Sequence, residues 1–274
     1  MARGPRVALG LLVICGLLGT LAVYGLGRVK GIGPLADPAG CLVEVGGHRV
    51  TLSLEQARNA GRISALAGQR DLPARALTRA LTVAYQQSDL LDVERDASGT
   101  KELFQQRPSD SAYADHGANA RSLTAAFTGE AAGALWCQVA DDAAQDSLAL
   151  DGSGLVPRAA AVRAEIDEFF GLPLGGFEPR GVSSGHMRGS AHYEGRAVDA
   201  FVRPINAENK RRGWALAHYL VSQADRLAIR TVIFDDQIWR AGRGEWSDYR
   251  VPSTSRGDRK ILEHRDHVHV DTAP

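Results

Sequence analysis

The sequence predicts an α+β protein with an N-terminal membrane helix, a small, mainly helical domain and a C-terminal α+β domain. Three observations predict this order. An uncharged run extends from Val7 to Gly27, apolar residues recur at helical spacing up to Ala84, and helical and strand-like segments alternate after residue 157.

The composition is that of a globular protein. The chain has 274 residues, 44% of them apolar and 23% charged, with 32 Lys and Arg against 32 Asp and Glu. A balanced charge lacks the basic surface that nucleic-acid binding requires. We therefore expect no nucleic-acid partner, and we expect a monomer.

The N-terminus carries a targeting signal. Arg3 and Arg6 precede the uncharged run from Val7 to Gly27, which is long enough to cross a bilayer as a helix. We expect an uncleaved anchor and a single-pass membrane protein whose C-terminal part lies outside the cytoplasm. The alternative is a signal peptide cleaved near Ala36 or Ala39, which would release a secreted protein.

Changes in composition divide the chain into five segments. Gly, Pro and Ala mark a stalk after the membrane segment, and an Asp-Gly-Ser-Gly stretch marks a second linker. The segments are a membrane helix at 1–27, a linker at 28–40, a helical domain at 41–146, a linker at 147–157 and an α+β domain at 158–274.

The cysteine count predicts one disulfide. Cys15 lies within the apolar run, so Cys41 and Cys137 are the only cysteines of the remaining chain. An even pair on the oxidising side of a membrane favours a disulfide bond, and two unrelated thiols are the alternative.

Local signals define the elements of the 41–146 segment. Gly46-Gly47 separates two strand-like runs and predicts a hairpin, and Ser53 with Gln56 forms a capping box that opens a helix. Pro73 suits the first turn of a second helix.

The C-terminal segment alternates helices and strands. We expect helices over Ala159 to Phe170 and after the cap Asn206, and strands over Ala197 to Val202, Ile229 to Phe234 and His267 to Val270. This order predicts an α+β domain with a small sheet.

Two short stretches concentrate metal-ligand side chains. One contains His192 and Asp199, and the other contains His267 and His269. A catalytic zinc site uses three protein ligands and keeps a fourth position for water, and His192, Asp199 and His269 supply such a set. Gly195 allows the chain to turn between the first two ligands, and alternate residues of a strand place both histidines of the second stretch on one face.

The first stretch matches the Ser-x-His-x-x-Gly-x-Ala-x-Asp motif of the zinc D-alanyl-D-alanine peptidases at every specified position, from Ser190 to Asp199, and the second resembles their His-x-His signature. From about residue 158 to 274 the chain resembles the extracellular ARB-07466-like domain of this fold. The resemblance implies Zn²⁺ on His192, Asp199 and His269, and hydrolysis of peptides of the cell-wall peptidoglycan.

The mechanism implied is hydrolysis by metal-activated water. Asp266 precedes His269 by three positions, where many relatives carry an acid, and we predict that it is the general base and acid. Two alternatives stay open: His267 could take that role or stabilise the oxyanion, and Asp266 could only orient a ring.

A peptidase that acts near a terminal carboxylate needs a cation to bind it. Arg180 and Arg188 precede the first motif in a Gly- and Ser-rich loop, and we predict that one of them, preferably Arg180, has this role. A solvated surface charge is the alternative for each.

The segment from Cys41 to about Val139 resembles an actinobacterial lysozyme-like domain, most clearly at Leu103 to Ser109. Where that group carries a Gln-Glu-Ser tripeptide, this chain has Gln87 in place of the glutamate. An amide cannot protonate a glycosidic oxygen, so the resemblance implies a domain that has lost glycosidase activity.

The sequence thus favours a membrane-anchored zinc peptidase of the cell wall. The alternative is a non-catalytic, zinc-containing wall-binding or scaffold protein, in which a fourth protein ligand closes the coordination sphere. A glycoside hydrolase is a third possibility, and Gln87 argues against it.

Overall fold

The computed structural model describes residues 39–94, 101–102, 113–140, 147–253 and 255–274, and Ala39–Pro274 form one compact unit. The predicted membrane segment at 1–27 and most of the predicted stalk lie outside these residues. Among the described residues, no helix is both long and apolar enough to cross a membrane.

The N-terminal part of this unit contains a three-stranded antiparallel sheet. The hairpin of β1 (Gly40–Val45) and β2 (His48–Leu52) is confirmed, and β5 (Leu135–Gln138) pairs with the other edge of β1. Cys41 and Cys137 lie directly opposite each other in this pairing and form the predicted disulfide.

Three helices accompany this sheet: the first and third contact β1 and β2, and the second packs against the other two helices. They are α1 (Leu54–Gln69), α2 (Ala74–Ser88) and α3 (Tyr113–Phe127). The capping box of Ser53 and Gln56 at the start of α1 is confirmed, and Pro73 is the N-cap of α2 rather than its first helical residue. A two-stranded pair, β3 (Val93–Glu94) with β4 (Lys101–Glu102), follows α2.

The C-terminal part contains a six-stranded antiparallel sheet in the order β10-β9-β8-β11-β7-β6. Its strands are β6 (Leu174–Gly175), β7 (Ala197–Phe201), β8 (Ile229–Phe234), β9 (Gln237–Arg240), β10 (Ser247–Asp248) and β11 (His267–Thr272). The helices are α4 (Pro157–Phe170), α5 (Ala207–Ser222), α6 (Ala224–Leu227) and α7 (Arg259–Leu262). The α+β prediction is confirmed, as is the Asn206 cap of α5.

Hydrogen bonds tie the two parts together. The indole N–H groups of Trp239 and Trp246 donate to the carbonyls of Cys137 and Leu135 in β5, at 3.1 and 2.8 Å. His218 of α5 bonds the Ala126 carbonyl at 2.8 Å through Nδ1. The division into separate domains at 41–146 and 158–274 stays a prediction, and the described residues on either side of it share one compact unit.

The predicted linker at 147–157 contains an ordered turn. The Asp151 carboxylate accepts hydrogen bonds from the backbone N–H groups of Ser153 and Leu155, at 2.8 and 3.0 Å. The next residue, Val156, donates its N–H to the Gly195 carbonyl at 3.0 Å. This hydrogen bond joins the turn to the first metal-ligand motif, between His192 and Asp199.

Candidate metal centre

The structure brings the three predicted ligands together. His192 Nε2 lies 3.1 Å from His269 Nδ1 and 3.2 Å from Asp199 Oδ1, and the last two atoms are 3.0 Å apart. Zinc–ligand bonds of about 2.0–2.2 Å at a tetrahedral angle separate neighbouring ligand atoms by about 3.3 Å. The triangle of two imidazole nitrogens and one carboxylate oxygen thus fits a single divalent ion.

The local backbone explains this convergence. Asp199 on β7 and His269 on β11 are direct cross-strand partners, so their side chains leave the sheet side by side. His192 lies in a 3-10 turn, Ala191–Glu194, that begins at the Ser190 cap. Gly195 ends this turn with a φ of 66°, a left-handed conformation that favours glycine, and the chain then enters β7.

The outer nitrogen of each ligand histidine has its own acceptor. His192 Nδ1 donates to the Gly176 carbonyl at 2.6 Å, and His269 Nε2 lies 3.4 Å from the carboxylate of Asp271. A proton on these outer nitrogens leaves the inner nitrogen of each ring free to bind a metal ion.

Burial and hydrogen bonding act in opposite directions on the ligand pKa values. Burial alone raises the pKa of Asp199, but hydrogen bonds from His192 and His269 hold it well below its usual range. Burial alone lowers the pKa of His269, but the carboxylates of Asp199 and Asp271 raise it to about 9. The carboxylate of Asp199 is thus stabilised as an anion, and a bound cation would replace the proton on His269, since metal binding releases protons from its ligands.

Asp266 is engaged away from the triangle. One carboxylate oxygen bonds His267 Nδ1 at 2.8 Å, and the other accepts from Arg203 Nε at 2.7 Å. Burial opposes its ionisation, but these partners lower the pKa of Asp266 below its usual value. Of the alternatives that the sequence left open, this arrangement favours Asp266 as the group that orients His267.

His267 borders the triangle. Its Nε2 lies 4.0 Å from Asp199 Oδ1, on the opposite side of the ring from Asp266, and Arg203 itself lies over the Phe201 ring at 4.2 Å. The prediction that His267 and His269 share one face of a strand is confirmed, since both line the same cleft.

The cleft has a volume of about 400 Å³, and its walls hold side chains that the sequence analysis singled out and others that it did not. Arg188 lines it, whereas Arg180 is exposed and is absent from its described lining. The cleft residues that the sequence analysis did not propose include Arg196, Arg230, Tyr249, Ile261 and His264. They come from five separate elements or loops, so no single motif could have indicated them.

His186, which the sequence analysis did not propose, lies beside the ligand triangle. Its ring stacks on the His192 ring with centroids 3.9 Å apart, and one ligand atom each from His186, His192 and Asp199 lie within 4.8 Å of one another. The spacing of six residues between the two histidines gave no signal for this, because an irregular loop joins them.

The predicted lysozyme-like features are only partly described. Gln87 lies near the end of α2, and its buried Oε1 has no hydrogen-bond partner among the described residues. Leu103 to Ser109, the strongest part of that resemblance, lies outside the described residues.

Comparisons with known proteins add one finding. No curated protein and no solved structure matches the chain. Residues 151–260 match the family model described as VldE, C-terminal domain, a segment that includes His192 and Asp199 and ends before His269. The C-terminal part of this chain is therefore similar to the VldE C-terminal domain.

Proposed function

We propose that this protein is a zinc-dependent peptidase that acts on the peptides of the bacterial cell wall. The observation that carries the proposal is the triangle of His192 Nε2, Asp199 Oδ1 and His269 Nδ1, with edges of 3.0–3.2 Å, at the base of an open cleft. Two imidazoles and a carboxylate are a donor set that catalytic zinc uses.

The proposed chemistry divides between the ion and the chain. A bound Zn²⁺ supplies Lewis-acid polarisation of the scissile carbonyl and makes water a nucleophile near neutral pH. His267 accepts a proton at Nε2, because its Nδ1 proton is donated to Asp266, and Arg203 keeps that carboxylate ionised. This assignment adopts the two alternatives that the sequence left open, with His267 as the base and Asp266 as the group that orients its ring.

The cleft walls support a peptide substrate with a free carboxylate. Arg188 and Arg230 both line the cleft, and an arginine can bind a carboxylate through two hydrogen bonds. Peptidoglycan as the source of that peptide rests on the motif from Ser190 to Asp199 and its resemblance to the zinc D-alanyl-D-alanine peptidases.

The location proposed for this activity is outside the cytoplasm. The Cys41–Cys137 disulfide supports it, because such bonds persist in oxidising compartments. The run from Val7 to Gly27 would anchor the protein in the cell membrane. Retention of the protein in membranes washed with alkaline carbonate is expected, and its release would favour a cleaved signal peptide.

The test combines metal analysis with cleavage of muropeptides by the purified full-length protein. We expect one zinc ion per chain and peptide products, and we expect His192→Ala to lose both. We expect His267→Ala to keep zinc and lose activity by roughly 100- to 10,000-fold, as for a missing general base. His48→Gln, outside the cleft and bonded to Asn119, is the control that retains both properties.

Two results would reject the proposal. A protein that binds no divalent metal would rule out the site itself. Stoichiometric zinc without hydrolysis of any muropeptide would favour the alternative of a wall-binding or scaffold protein in which zinc is structural.

A further inference from the structure

We propose that His186 is a fourth, displaceable protein ligand of the metal ion, which occupies the ion's open side until a peptide enters the cleft. This inference rests on the metal site of the proposed function and extends it. Three observations support it: the position of the His186 ring, the hydrogen bonds that hold its backbone, and the two glycines that flank its loop.

The ring position places a fourth donor beside the triangle. The His186 and His192 rings stack with centroids 3.9 Å apart and an interplanar angle of 22°, and a His186 ligand atom lies within 4.8 Å of ligand atoms of His192 and Asp199. This limit puts a donor atom of His186 within reach of an ion held by the triangle. The lone pair of an imidazole lies in the ring plane, so the His186 ring must rotate out of its stack on His192 to bind that ion.

The backbone of His186 is held by the metal motif itself. The Tyr193 hydroxyl accepts a hydrogen bond from the His186 N–H at 3.0 Å and donates one to the His186 carbonyl at 2.5 Å. Tyr193 follows the ligand His192 directly, so a single phenol fixes the fourth donor relative to the first. Such bracing is expected of a residue whose position matters to the ion.

The loop that carries His186 is exposed and flanked by two glycines. Gly185 and Gly189 have φ values of 92° and 79°, and a Cβ at either position would meet nothing within 4 Å. Between them Met187 is 40% exposed and Arg188 is exposed too, and all three non-glycine residues line the cleft. With the His186 backbone held by Tyr193, its side chain can leave the ion by rotating about its own χ angles, without moving the packed strands.

A closed resting site and a catalytic site are compatible if the fourth ligand can leave the ion. Without substrate, His186 would complete the coordination sphere and keep the ion bound and unreactive. A peptide carbonyl that enters the cleft would take its position, and the other three ligands would stay on the strands and turn that hold them.

The test uses the full-length protein loaded with zinc alone. X-ray absorption at the zinc edge should count three imidazole ligands in the wild type and two in His186→Ala, and competition with a chelator should show a metal affinity roughly 10- to 100-fold lower in the variant. Tyr193→Phe keeps the ring and removes only the hydroxyl, so it should weaken zinc binding in the same direction while preserving the fold.

His48→Gln is the matched control. It removes an imidazole that lies outside the cleft and is bonded to Asn119, so the surroundings of the metal ligands are unchanged. We expect its imidazole count and metal affinity to equal those of the wild type.

The outcomes separate this inference from the proposed function. If the wild type binds zinc through two imidazoles, and His186→Ala binds it as tightly, the fourth ligand is refuted while the three-ligand site stands. If the wild type binds no zinc, both the fourth ligand and the proposed function are refuted.

Discussion

The absence of a side chain at Gly176 allows the proposed metal ligands to come together. Gly176 has a φ of 79°, and a Cβ there would collide with His192 Cε1, lie 2.6 Å from His192 Nδ1 and lie 3.0 Å from Asp199 Oδ2. Its carbonyl also accepts the hydrogen bond from His192 Nδ1 that sets the tautomer of this ring. The missing side chain is therefore a requirement of the site, although Gly176 is no ligand.

At this scale we predict that Gly176→Ala impairs metal binding in a folded protein. The methyl group must displace the His192 ring, so the affinity for zinc should fall by at least about tenfold, as when outer groups of metal sites are altered. Chelator competition measures the affinity, and circular dichroism verifies the fold.

Gly171→Ala separates collision from backbone strain. Gly171 also has a left-handed φ, 55°, but a Cβ there would meet nothing within 4 Å. Both variants should lose about 1–2 kcal/mol of stability through the backbone, and only Gly176→Ala should lose affinity. Equal zinc affinity in the two variants would refute the prediction.

Among the elements, α5 does most to join the two parts of the molecule. It contacts α1, α3 and β5 of the N-terminal part and β8 and β11 of the C-terminal sheet, and ten of its residues are buried. Its His218 is fully buried, packs beside the rings of Trp214 and Trp246, and bonds the Ala126 carbonyl of α3. Burial lowers the pKa of His218 to about 4, partly opposed by that hydrogen bond.

This helix should therefore make the fold sensitive to acid. A histidine in the unfolded chain binds its proton near pH 6.5, whereas His218 in the folded protein resists protonation until about pH 4. Between these values the unfolded state binds more protons, so the free energy of unfolding falls as the pH falls. At about 1.4 kcal/mol for each unit of pKa difference, the loss approaches roughly 3 kcal/mol.

Urea unfolding of the wild type and His218→Gln between pH 7 and pH 4 measures this contribution. The glutamine can still donate to Ala126 but does not titrate, so the difference in stability between the two proteins should shrink or reverse as the pH falls. A difference that stays constant over that range would show that His218 is not responsible.

The whole molecule folds as one compact unit over Ala39–Pro274. Trp239 and Trp246 of the C-terminal part donate to β5 carbonyls of the N-terminal part, and at Gly129 the backbone approaches that of Arg211 so closely that a Cβ would collide with it. These contacts bury groups that would be exposed or unpaired if the parts were separated.

We predict that residues 147–274 expressed alone are much less stable than the full chain. Loss of the N-terminal part exposes one face of α5 and removes the acceptors of both indoles. Denaturant unfolding should show a lower midpoint, and binding of a hydrophobic dye should increase. An unchanged midpoint would mean that the C-terminal part is an independent domain.

The sequence by itself determined the local elements and predicted the proposed ligand set. The capping box at Ser53, the Asn206 cap, the strand periodicity and the spacing within the two metal-ligand stretches depend on residues a few positions apart, so they could be read from the chain. Cys41 and Cys137 were predictable by count alone.

Only the tertiary structure decided how the site is surrounded and how the two parts join. The pairing of Asp266 with Arg203, the position of His186 on His192, the bare backbone at Gly176 and the indole bonds to β5 all connect residues from different elements or from opposite ends of a loop. Such contacts follow from strand register, loop path and helix packing. The free energy of the whole fold determines each of these features, so none of them can be predicted from a short stretch of sequence.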